Sequence, residues 1–338
     1  MNKLAALLAP LVLGLAISAP AAVSYASLGV AGNTNAFIFG SVTTSNGGHA
    51  DGSIVVGGNW SGSRYEARKK GNDAKNAPMP GDPLPANLAV YIAGDANIKG
   101  DKGSNFLRTF GGDVYIGGKY SAQNVDTQKK GIVYAKGGFD LAPTEKNLLQ
   151  LSSTLSKMDS AKLTINDPNN VKVDVTANKA NGNLKVYTID GSLLGGGKTL
   201  DFLKATGDET IVINVTGDNI NWGWSVNVGD ETNKGNKNPL QYEDILWNFV
   251  DAKTINIRDR QFSGTILAPN ATVNQSQNIH GTLIAATWNV TQNSSLTSHT
   301  FVGKIPLVSA PEPAGVMTMG GFLALALFSR RRQAVRLS

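Results

Sequence analysis

One unit recurs through the first half of the chain: a short β-branched or aromatic run that ends in paired small residues. Four copies occur, at Gly52–Gly58, Leu88–Gly94, Gly112–Gly118 and Gly131–Gly138. The chain has 38 glycines, well above a typical share of roughly 7%, which indicates many tight turns. Short strands closed by glycines are typical of a β-solenoid, whose rungs turn sharply and bury side chains against their neighbours. We therefore predict a mainly β, β-solenoid-like stack, with a β-sandwich as the alternative.

The second half of the chain continues in strands. Alternating or apolar runs at 171–175, 184–189, 210–215 and 254–257 predict four of them. The segments 262–273 and 279–290 then align at a shift of 17 residues, with Gly-Thr before an apolar core in each. We expect these two segments to be successive rungs in which Gly264 and Gly281 stack.

Two helices are predicted beside the strands. The first runs from Pro143 to about Ser160, because Leu148, Leu151, Leu155 and Met158 form one apolar stripe that should pack along the sheet stack. The second is a short helix over 242–249, where Ile245, Leu246 and Phe249 share a helical face.

The N-terminal segment, residues 1–26, has the order of a secretory signal peptide. Lys3 precedes an apolar run from Leu4 to Ile17, and small residues follow, so that cleavage after Ala21, Ala22 or Ala26 is compatible with the sequence.

The C-terminal segment, residues 309–338, has a polar break, an apolar helix and a basic stop. Pro311-Glu312-Pro313 precedes the apolar stretch 314–328, and Arg330, Arg331 and Arg332 follow it. These fifteen apolar residues reach only about 22 Å of the roughly 30 Å hydrocarbon core, which favours a transient inner-membrane anchor over a permanent transmembrane helix. The arginines favour the cytoplasmic side, so residues before Pro311 lie outside.

This tail resembles the PEP-CTERM sorting signal in the order and spacing of its parts. The resemblance implies removal by an exosortase-type membrane protease, in a Gram-negative bacterium that makes extracellular polysaccharide. The two ends leave residues 27–308 as one β domain.

Composition excludes several kinds of function. Cysteine is absent, so disulfides, thiolate metal sites and a cysteine nucleophile are excluded. Of the 31 basic residues, five lie in the terminal segments, and the other 26 are nearly balanced in charge by the 25 acidic residues of the whole chain. This near-neutral balance argues against nucleic acid as a partner. We interpret a local basic cluster as a solvated loop: Arg64, Arg68, Lys69, Lys70 and Lys75.

Several motifs distributed over the chain resemble the choice-of-anchor A domain. They are Asn35–Gly40, Gly52–Gly58, Ile245–Phe249, Gly264–Ala271, Gly281–Ala285 and His299–Gly303. The resemblance implies an adhesin-like surface domain of β-solenoid character, reminiscent of ice-binding proteins, with no assigned catalytic residue. The Lys- and Asn-rich insertions around Lys69 and Lys234 depart from that pattern.

Candidate catalytic residues are sparse. Gly195–Thr199 lacks the first glycine of a phosphate loop, and His49, His280 and His299 have no metal-ligand spacing. The sharpest enzymatic alternative is a solenoid polysaccharide lyase, with Asp for Ca²⁺ and a basic residue as the base. Its candidate residues, which we interpret as a charged turn, are Asp251, Arg258, Asp259 and Arg260.

Candidate contact residues are aromatic. Trp222 and Trp224 lie among asparagines and present either rings for sugar stacking or core side chains. Ice binding is a further alternative, for which a flat face with regular threonines is needed, and Thr265, Thr282 and Thr287 are few for that. We therefore predict a non-catalytic, cofactor-free adhesin at the cell surface or in the matrix, which binds polysaccharide or neighbouring cells.

Overall fold

The computed structural model of the chain describes residues 24–69, 82–99, 107–121, 124–165, 167–229 and 238–307. The predicted signal peptide up to residue 23 and the whole tail 309–338 lie outside these ranges, as do Lys70, Lys75 and Lys234. Contacts divide the chain into two compact units, one of 1–25 with 306–338 and one of 26–305.

The elements of the first half are short, with strands of two to five residues. In chain order they are β1 Ser24–Ala26, α1 Gly29–Gly32, β2 Ala36–Ile38, β3 Val42–Thr44, β4 Gly48–Ala50, β5 Ile54–Val56, β6 Trp60–Gly62, β7 Tyr65–Ala67, β8 Leu88–Ile92, β9 Ala96–Ile98, β10 Leu107–Thr109, β11 Asp113–Ile116, β12 Val125–Asp126 and β13 Val133–Tyr134.

The second half opens with the long helix and has longer strands. They are α2 Ala142–Ser156, β14 Ala161–Lys162, β15 Asn170–Asp174, β16 Leu184–Asp190, β17 Thr199–Leu203, β18 Thr210–Thr216, β19 Asn219–Trp222, β20 Ser225–Asn227, β21 Ile245–Phe249, β22 Thr254–Ile257, β23 Phe262–Ser263, β24 Thr265–Gln275, β25 Ile279–His280, β26 Leu283–Val290, β27 Ser294–Thr297 and β28 Ile305–Leu307.

Over the described residues the strands stack into a solenoid with three faces. The first, which we call the helix face, has the order β13-β11-β8-β5-β2-β26-β24-β21-β18-β16-β14. The second, the polar face, runs β9-β6-β3-β26-β24-β22-β19, because the long strands β24 and β26 bend from one face to the next. The third face runs β12-β10-β7-β4-β27-β25-β23. The pairings along all three faces are parallel, which confirms the predicted β-solenoid-like class.

The rungs do not stack in chain order. β2 pairs with β5 on one side and with β26 on the other, so the first rung of the first half lies against the last rung of the second half. The buried Asn35 joins this seam: its Nδ2 donates to the carbonyls of Gly281 and Thr297, each at 3.1 Å. Its Oδ1 accepts from the backbone N–H of Gly52 at 2.8 Å. The side-chain amide of Asn35 therefore joins three rungs through these three hydrogen bonds.

Helix α2 covers the middle of the helix face. The side chains of Leu148, Leu151 and Leu155 are buried against outward residues of that sheet, which include Val212 and Leu246. The sequence predicted this stripe and this packing correctly, although the helix ends at Ser156 rather than near Ser160, and Met158 lies past its end, partly buried against the same cluster.

A buried polar network fixes α2 on the sheet. Ser152 Oγ donates to Asn248 Oδ1 at 2.6 Å, and Asn248 Nδ2 donates to the Ser152 carbonyl at 2.9 Å. Asn214 Nδ2 donates to the Leu155 carbonyl at 2.8 Å, which satisfies a carbonyl at the C-terminal end of the helix. Because each buried polar group has a partner, the network positions the helix without a large desolvation cost.

The four glycine-ended copies form neighbouring rungs, as predicted. β5, β8, β11 and β13 lie side by side on the helix face in that order. Their inward side chains, with those of the other faces, fill one continuous core.

The helix predicted over 242–249 is wrong. Residues 242–244 form a 3-10 turn, and Ile245–Phe249 is the buried strand β21 between β18 and β24. All five residues of β21 are buried, because the core lies on one side and α2 on the other. A strand buried on both sides is apolar at nearly every position, so its spacing also matches a helical face.

Gly264 and Gly281 stack at the corner between the third face and the helix face, as the sequence predicted. Their φ angles are +107° and +154°, and a Cβ on Gly281 would lie 2.1 Å from the Gly264 carbonyl oxygen. A side chain is therefore excluded both by backbone conformation and by the close approach of the next rung.

We expect Gly281→Ala to lower the free energy of unfolding by about 3 kcal/mol, because overpacking and backbone strain act together. Gly195→Ala is the matched control, since Gly195 has a negative φ and meets only the Asn221 carbonyl oxygen at 3.9 Å. Denaturant unfolding of both variants measures the difference. Equal stabilities would contradict the steric role of the stacked glycines.

Candidate functional site

The polar face combines an apolar inner side with short polar side chains outside. Its central strands share one sequence pattern, Thr-x-Asn-x, at Thr254–Ile257, Thr272–Gln275 and Thr287–Val290. In a strand, alternate residues point to opposite sides, so the Thr and Asn of each copy project outward while Ile255, Val273 and Trp288 are buried. The face is thus built by repetition of a four-residue unit.

The asparagines form a ladder across the strands. Asn256 Nδ2 donates to Asn221 Oδ1 at 3.0 Å, and Asn274 Nδ2 donates to Asn256 Oδ1 at 2.9 Å. Asn289 Nδ2 continues the ladder to Asn274 Oδ1, also at 2.9 Å. Each amide is therefore held in one orientation, and a second N–H of each group remains for a ligand. The backbone register extends this column through Thr43, Ser61 and Asn97.

The threonines form a second column parallel to the first. Thr254 lies opposite Thr272, which in turn lies opposite Thr287, and Asn219 ends the column. Neighbouring strands are about 4.8 Å apart and alternate residues of one strand are roughly 6.6 Å apart. The two columns therefore form a regular, two-dimensional array of hydroxyl and amide groups without a charged member.

Two of the three threonines that the sequence suggested for a flat face lie elsewhere. Thr265 and Thr282 are buried within the rungs, whereas Thr254 and Thr272 belong with Thr287 to the outward-facing array, where all three are half-buried. The shift of 17 residues holds only up to Ala268, which pairs with Ala285; past an irregularity the register changes and Thr272 pairs with Thr287. The recurrence of Thr-x-Asn in the sequence was the signal that identifies this face.

Side chains at the edge of the polar face instead accept hydrogen bonds from backbone N–H groups. Ser41 Oγ accepts from the N–H of Asn59 at 3.2 Å, and Asn59 Oδ1 accepts from the N–H of Asp95 at 2.8 Å. Asp95 Oδ1 accepts from the N–H of Lys119 at 2.7 Å. Each side chain thus satisfies a backbone donor of the next rung where the chain turns the corner.

Trp222 and Trp224, predicted as possible glycan contacts, are core residues. Their exposed fractions are 1% and 0%, and the Trp222 indole packs edge-on against Trp247 at 4.8 Å. Trp222 Nε1 donates to the Gln261 carbonyl at 3.2 Å. The nearby asparagines suggested that the tryptophans are exposed. Residues of a strand alternate between its two sides, however, so Asn219 and Asn221 point outward while Trp222 points inward. Core packing, the alternative left open by the sequence, describes both tryptophans.

Two of the three histidines meet at the end of the third face. The His280 ring stacks on Tyr242 with centroids 5.1 Å apart, and the His299 ring packs edge-on against the same tyrosine at 4.8 Å. His299 Nδ1 lies 2.7 Å from Glu243 Oε1, and His280 Nδ1 lies 2.8 Å from Thr297 Oγ1. Within the described ranges, no group of three or more His, Cys, Asp or Glu side chains is arranged to hold a metal ion.

The residues considered for a lyase site do not converge. Asp251 precedes β22, whereas Arg258, Asp259 and Arg260 follow that strand at the opposite corner of the polar face. All four side chains are exposed. The four residues therefore lie in charged turns, as interpreted from the sequence, and do not form a shared site.

The described residues contain no helix that is long and apolar enough to cross a bilayer. The sorting-motif residues Pro311, Glu312, Pro313, Arg330, Arg331 and Arg332 lie outside those residues.

Residues 27–298 match a protein family described as a putative ice-binding-like adhesive domain. Among solved structures, the chain is similar to the DUF3494 domain of ice-binding protein 1 from Shewanella frigidimarina, with 16% identity, 82% of this chain and 98% of that chain covered, and a TM-score of 0.42. An ice-binding protein from the Antarctic ascomycete Antarctomyces psychrotrophicus is 11% identical, with coverages of 81% and 98% and a TM-score of 0.39.

A third similar structure is an ice-binding protein from an Antarctic biological consortium, with 12% identity, coverages of 84% and 92%, and a TM-score of 0.40. No curated protein matches the chain. The family match is therefore to an ice-binding-like adhesive domain and not to the choice-of-anchor A domain that the sequence motifs resemble.

We expect Trp222→Ala to lower the free energy of unfolding by about 3–5 kcal/mol, as large-to-small core substitutions do. Asn221→Ala, its outward neighbour on β19, should lower it by less than about 1.5 kcal/mol, since it removes one exposed hydrogen bond. Thermal or denaturant unfolding compares the two. A stable Trp222→Ala variant with lost sugar binding would show that the indole is a contact residue after all.

Proposed function

The chain belongs to the family of ice-binding-like adhesive domains, and on this premise we propose that it is a non-catalytic surface protein that attaches to ice through its polar face. The observation that carries the proposal is the in-register array of Thr254, Thr272 and Thr287 beside the asparagine ladder. Its hydroxyl and amide groups repeat in two dimensions, as the molecules of a crystal surface do.

Rigidity supports this function. The asparagine amides are hydrogen-bonded to one another, and β-branched threonines have few rotamers, so little conformational entropy is lost when the face meets a solid surface. Each contact is weak, but a periodic face makes many of them at once and their effects multiply. The array is also uncharged, and the ion pair between Lys253 and Asp218, at 2.5 Å, lies outside it at the corner before β22.

Adhesion to polysaccharide is the second candidate for the same face. It is favoured by the adhesive character of the family and by groups that suit sugar hydroxyls. All five tryptophans are buried, however, so indole stacking does not contribute to sugar binding. Ice therefore remains the better-supported ligand.

Export and anchoring complete the proposal. The predicted signal peptide 1–26 and a PEP-CTERM-type tail over 309–338 would place the domain 27–308 outside the inner membrane, with the tail a transient anchor until an exosortase-type protease removes it. The sorting residues would be Pro311, Glu312 and Pro313 with the arginines that follow the apolar stretch. The protein would then reside at the surface or in the matrix of a Gram-negative bacterium, consistent with the surface-anchoring part of the choice-of-anchor A resemblance.

Thr272→Tyr should reduce ice binding by about tenfold, which corresponds to about 1.4 kcal/mol, because a large ring at the centre of the array lifts the flat face from the ice. Thermal hysteresis and partition into growing ice measure this effect. Lys172→Tyr is the control, since Lys172 is exposed on β15, which belongs to the separate sheet β15-β17-β20 and not to the polar face.

The ice assignment is rejected if the wild-type protein shows neither thermal hysteresis nor partition into ice. If it instead sediments with extracellular polysaccharide, and Thr272→Tyr abolishes that, the second candidate takes its place. Equal effects of Thr272→Tyr and Lys172→Tyr would reject the polar face as the contact surface for either ligand.

Removal of the last 28 residues should change where the exported protein is found, because the proposed anchor and its protease signal are then missing. Fractionation of cells that express the full or the truncated chain measures this. If the truncated chain distributes like the full one, the tail does not direct sorting.

A further inference from the structure

A polar cavity lies at the corner between the polar face and the third face. Its volume is about 690 Å³, within the roughly 300–1,000 Å³ of small-ligand pockets. Its wall is formed by the turns that precede three neighbouring strands of the third face, β27, β4 and β7, and by Lys99 past the end of β9 on the next rung. At about 4.8 Å per rung, the lining residues of these four rungs extend over roughly 14 Å, so the cavity suits an elongated ligand.

Three cations line this cavity. They are Arg64, Lys69 and Lys99, one from the turn before β7, one past the end of β7, and one past the end of β9. The sequence predicted a solvated loop for Arg64 and Lys69, whereas both side chains lie at this corner and pair with Glu66. Arg68 of the same cluster is buried and donates to the Leu88 carbonyl at 3.3 Å.

One buried carboxylate orders two of these cations. The Glu66 side chain is only 9% exposed; Arg64 pairs with its Oε1, and Lys69 Nζ lies 2.5 Å from its Oε2. Burial alone would raise the pKa of Glu66, but hydrogen bonds from Lys69 and Arg64 outweigh it and lower that pKa, so the group is ionised at neutral pH.

The cavity therefore has a surplus of positive charge. Arg64, Lys69 and Lys99 carry three charges against the single charge of Glu66, and Lys99 is exposed with no ion pair among the described residues. His49 also lines the cavity, and burial followed by the field of Lys69 lowers its pKa, so its ring is neutral at pH 7. A ligand that matches this site brings negative charge of its own.

The remaining lining suits hydroxyl groups. Asn46, Ser63 and Asn293 add amide and hydroxyl groups along the same wall. Asn46 Nδ2 donates to the Thr291 carbonyl at 2.8 Å, and Ser63 Oγ accepts from the Gly47 N–H at 2.9 Å, so both side chains are already positioned. The Asn46 carbonyl oxygen and the Ser63 hydroxyl proton remain for a ligand. Cations beside neutral donors and acceptors suit a ligand that has both a carboxylate and hydroxyls.

We propose that this corner cavity binds anionic saccharides of the uronate class, with the carboxylates toward Lys99, Lys69 and Arg64 and the hydroxyls toward the asparagines and Ser63. The site is separate from the Thr and Asn array and does not rest on ice binding. It would let one domain contact a solid surface and a matrix polymer through different faces.

Calorimetric titration of the full chain with trigalacturonate tests this proposal. We expect binding that weakens with added salt, and a loss of at least about tenfold in Lys99→Glu, because one attractive charge becomes repulsive. Lys172→Glu is the matched control: it makes the same change in net charge at an exposed site on β15, and it should bind like the wild type. Thr272→Tyr should also retain trigalacturonate binding. Failure of the ice proposal can therefore be distinguished from failure of the saccharide proposal.

Two further titrants identify the ligand class. A neutral galactose trisaccharide and inorganic phosphate should each bind at least about tenfold more weakly than trigalacturonate. The trisaccharide lacks the carboxylates, and phosphate lacks the sugar hydroxyls. The proposal is overturned if trigalacturonate does not bind, if Lys99→Glu and Lys172→Glu weaken it equally, or if either of the other titrants binds as tightly.

Discussion

Backbone hydrogen bonding between stacked rungs is the constraint on which the rest of this structure depends. Each rung must repeat the outline of its neighbours, so that every strand finds its parallel partner and every corner turns at the same place. Glycines such as Gly264 and Gly281 permit this at the corners, where the next rung leaves no room for a Cβ. Once the rungs are in register, side chains one rung apart lie in columns, and a short sequence pattern becomes an extended surface.

This columnar order accounts for both proposed sites. On the polar face, the same four-residue pattern on successive strands gives rows of like groups, which suits a surface that repeats in space. At the corner, the turns differ from rung to rung and combine cations, amides and a hydroxyl around Glu66. A flat array and a shaped cavity thus arise from the regular and the irregular parts of one scaffold.

Much of the fold could be predicted because its signals are local. The glycine-ended copies and the stripe of α2 depend on residues near one another in sequence, and both were identified correctly. Residues 245–249 were misassigned because burial on both sides removes the alternation that distinguishes a strand from a helix. The site was harder, because outward and inward residues such as Asn221 and Trp222 are neighbours in sequence, and the register change between Ala268 and Thr272 concealed the threonine column. The roles of Arg64 and Lys69 depend on Glu66 and on turns from other rungs, which composition does not reveal.

The seam at Asn35 bears on how such a chain is made. Asn35 and Gly281, which meet across it, are 246 residues apart, so the free edge of β2 must wait for almost the whole domain to be synthesised before β26 can pair with it. Until then an unpaired parallel edge and its apolar interior are open to other chains, and non-local pairing of this kind is slow.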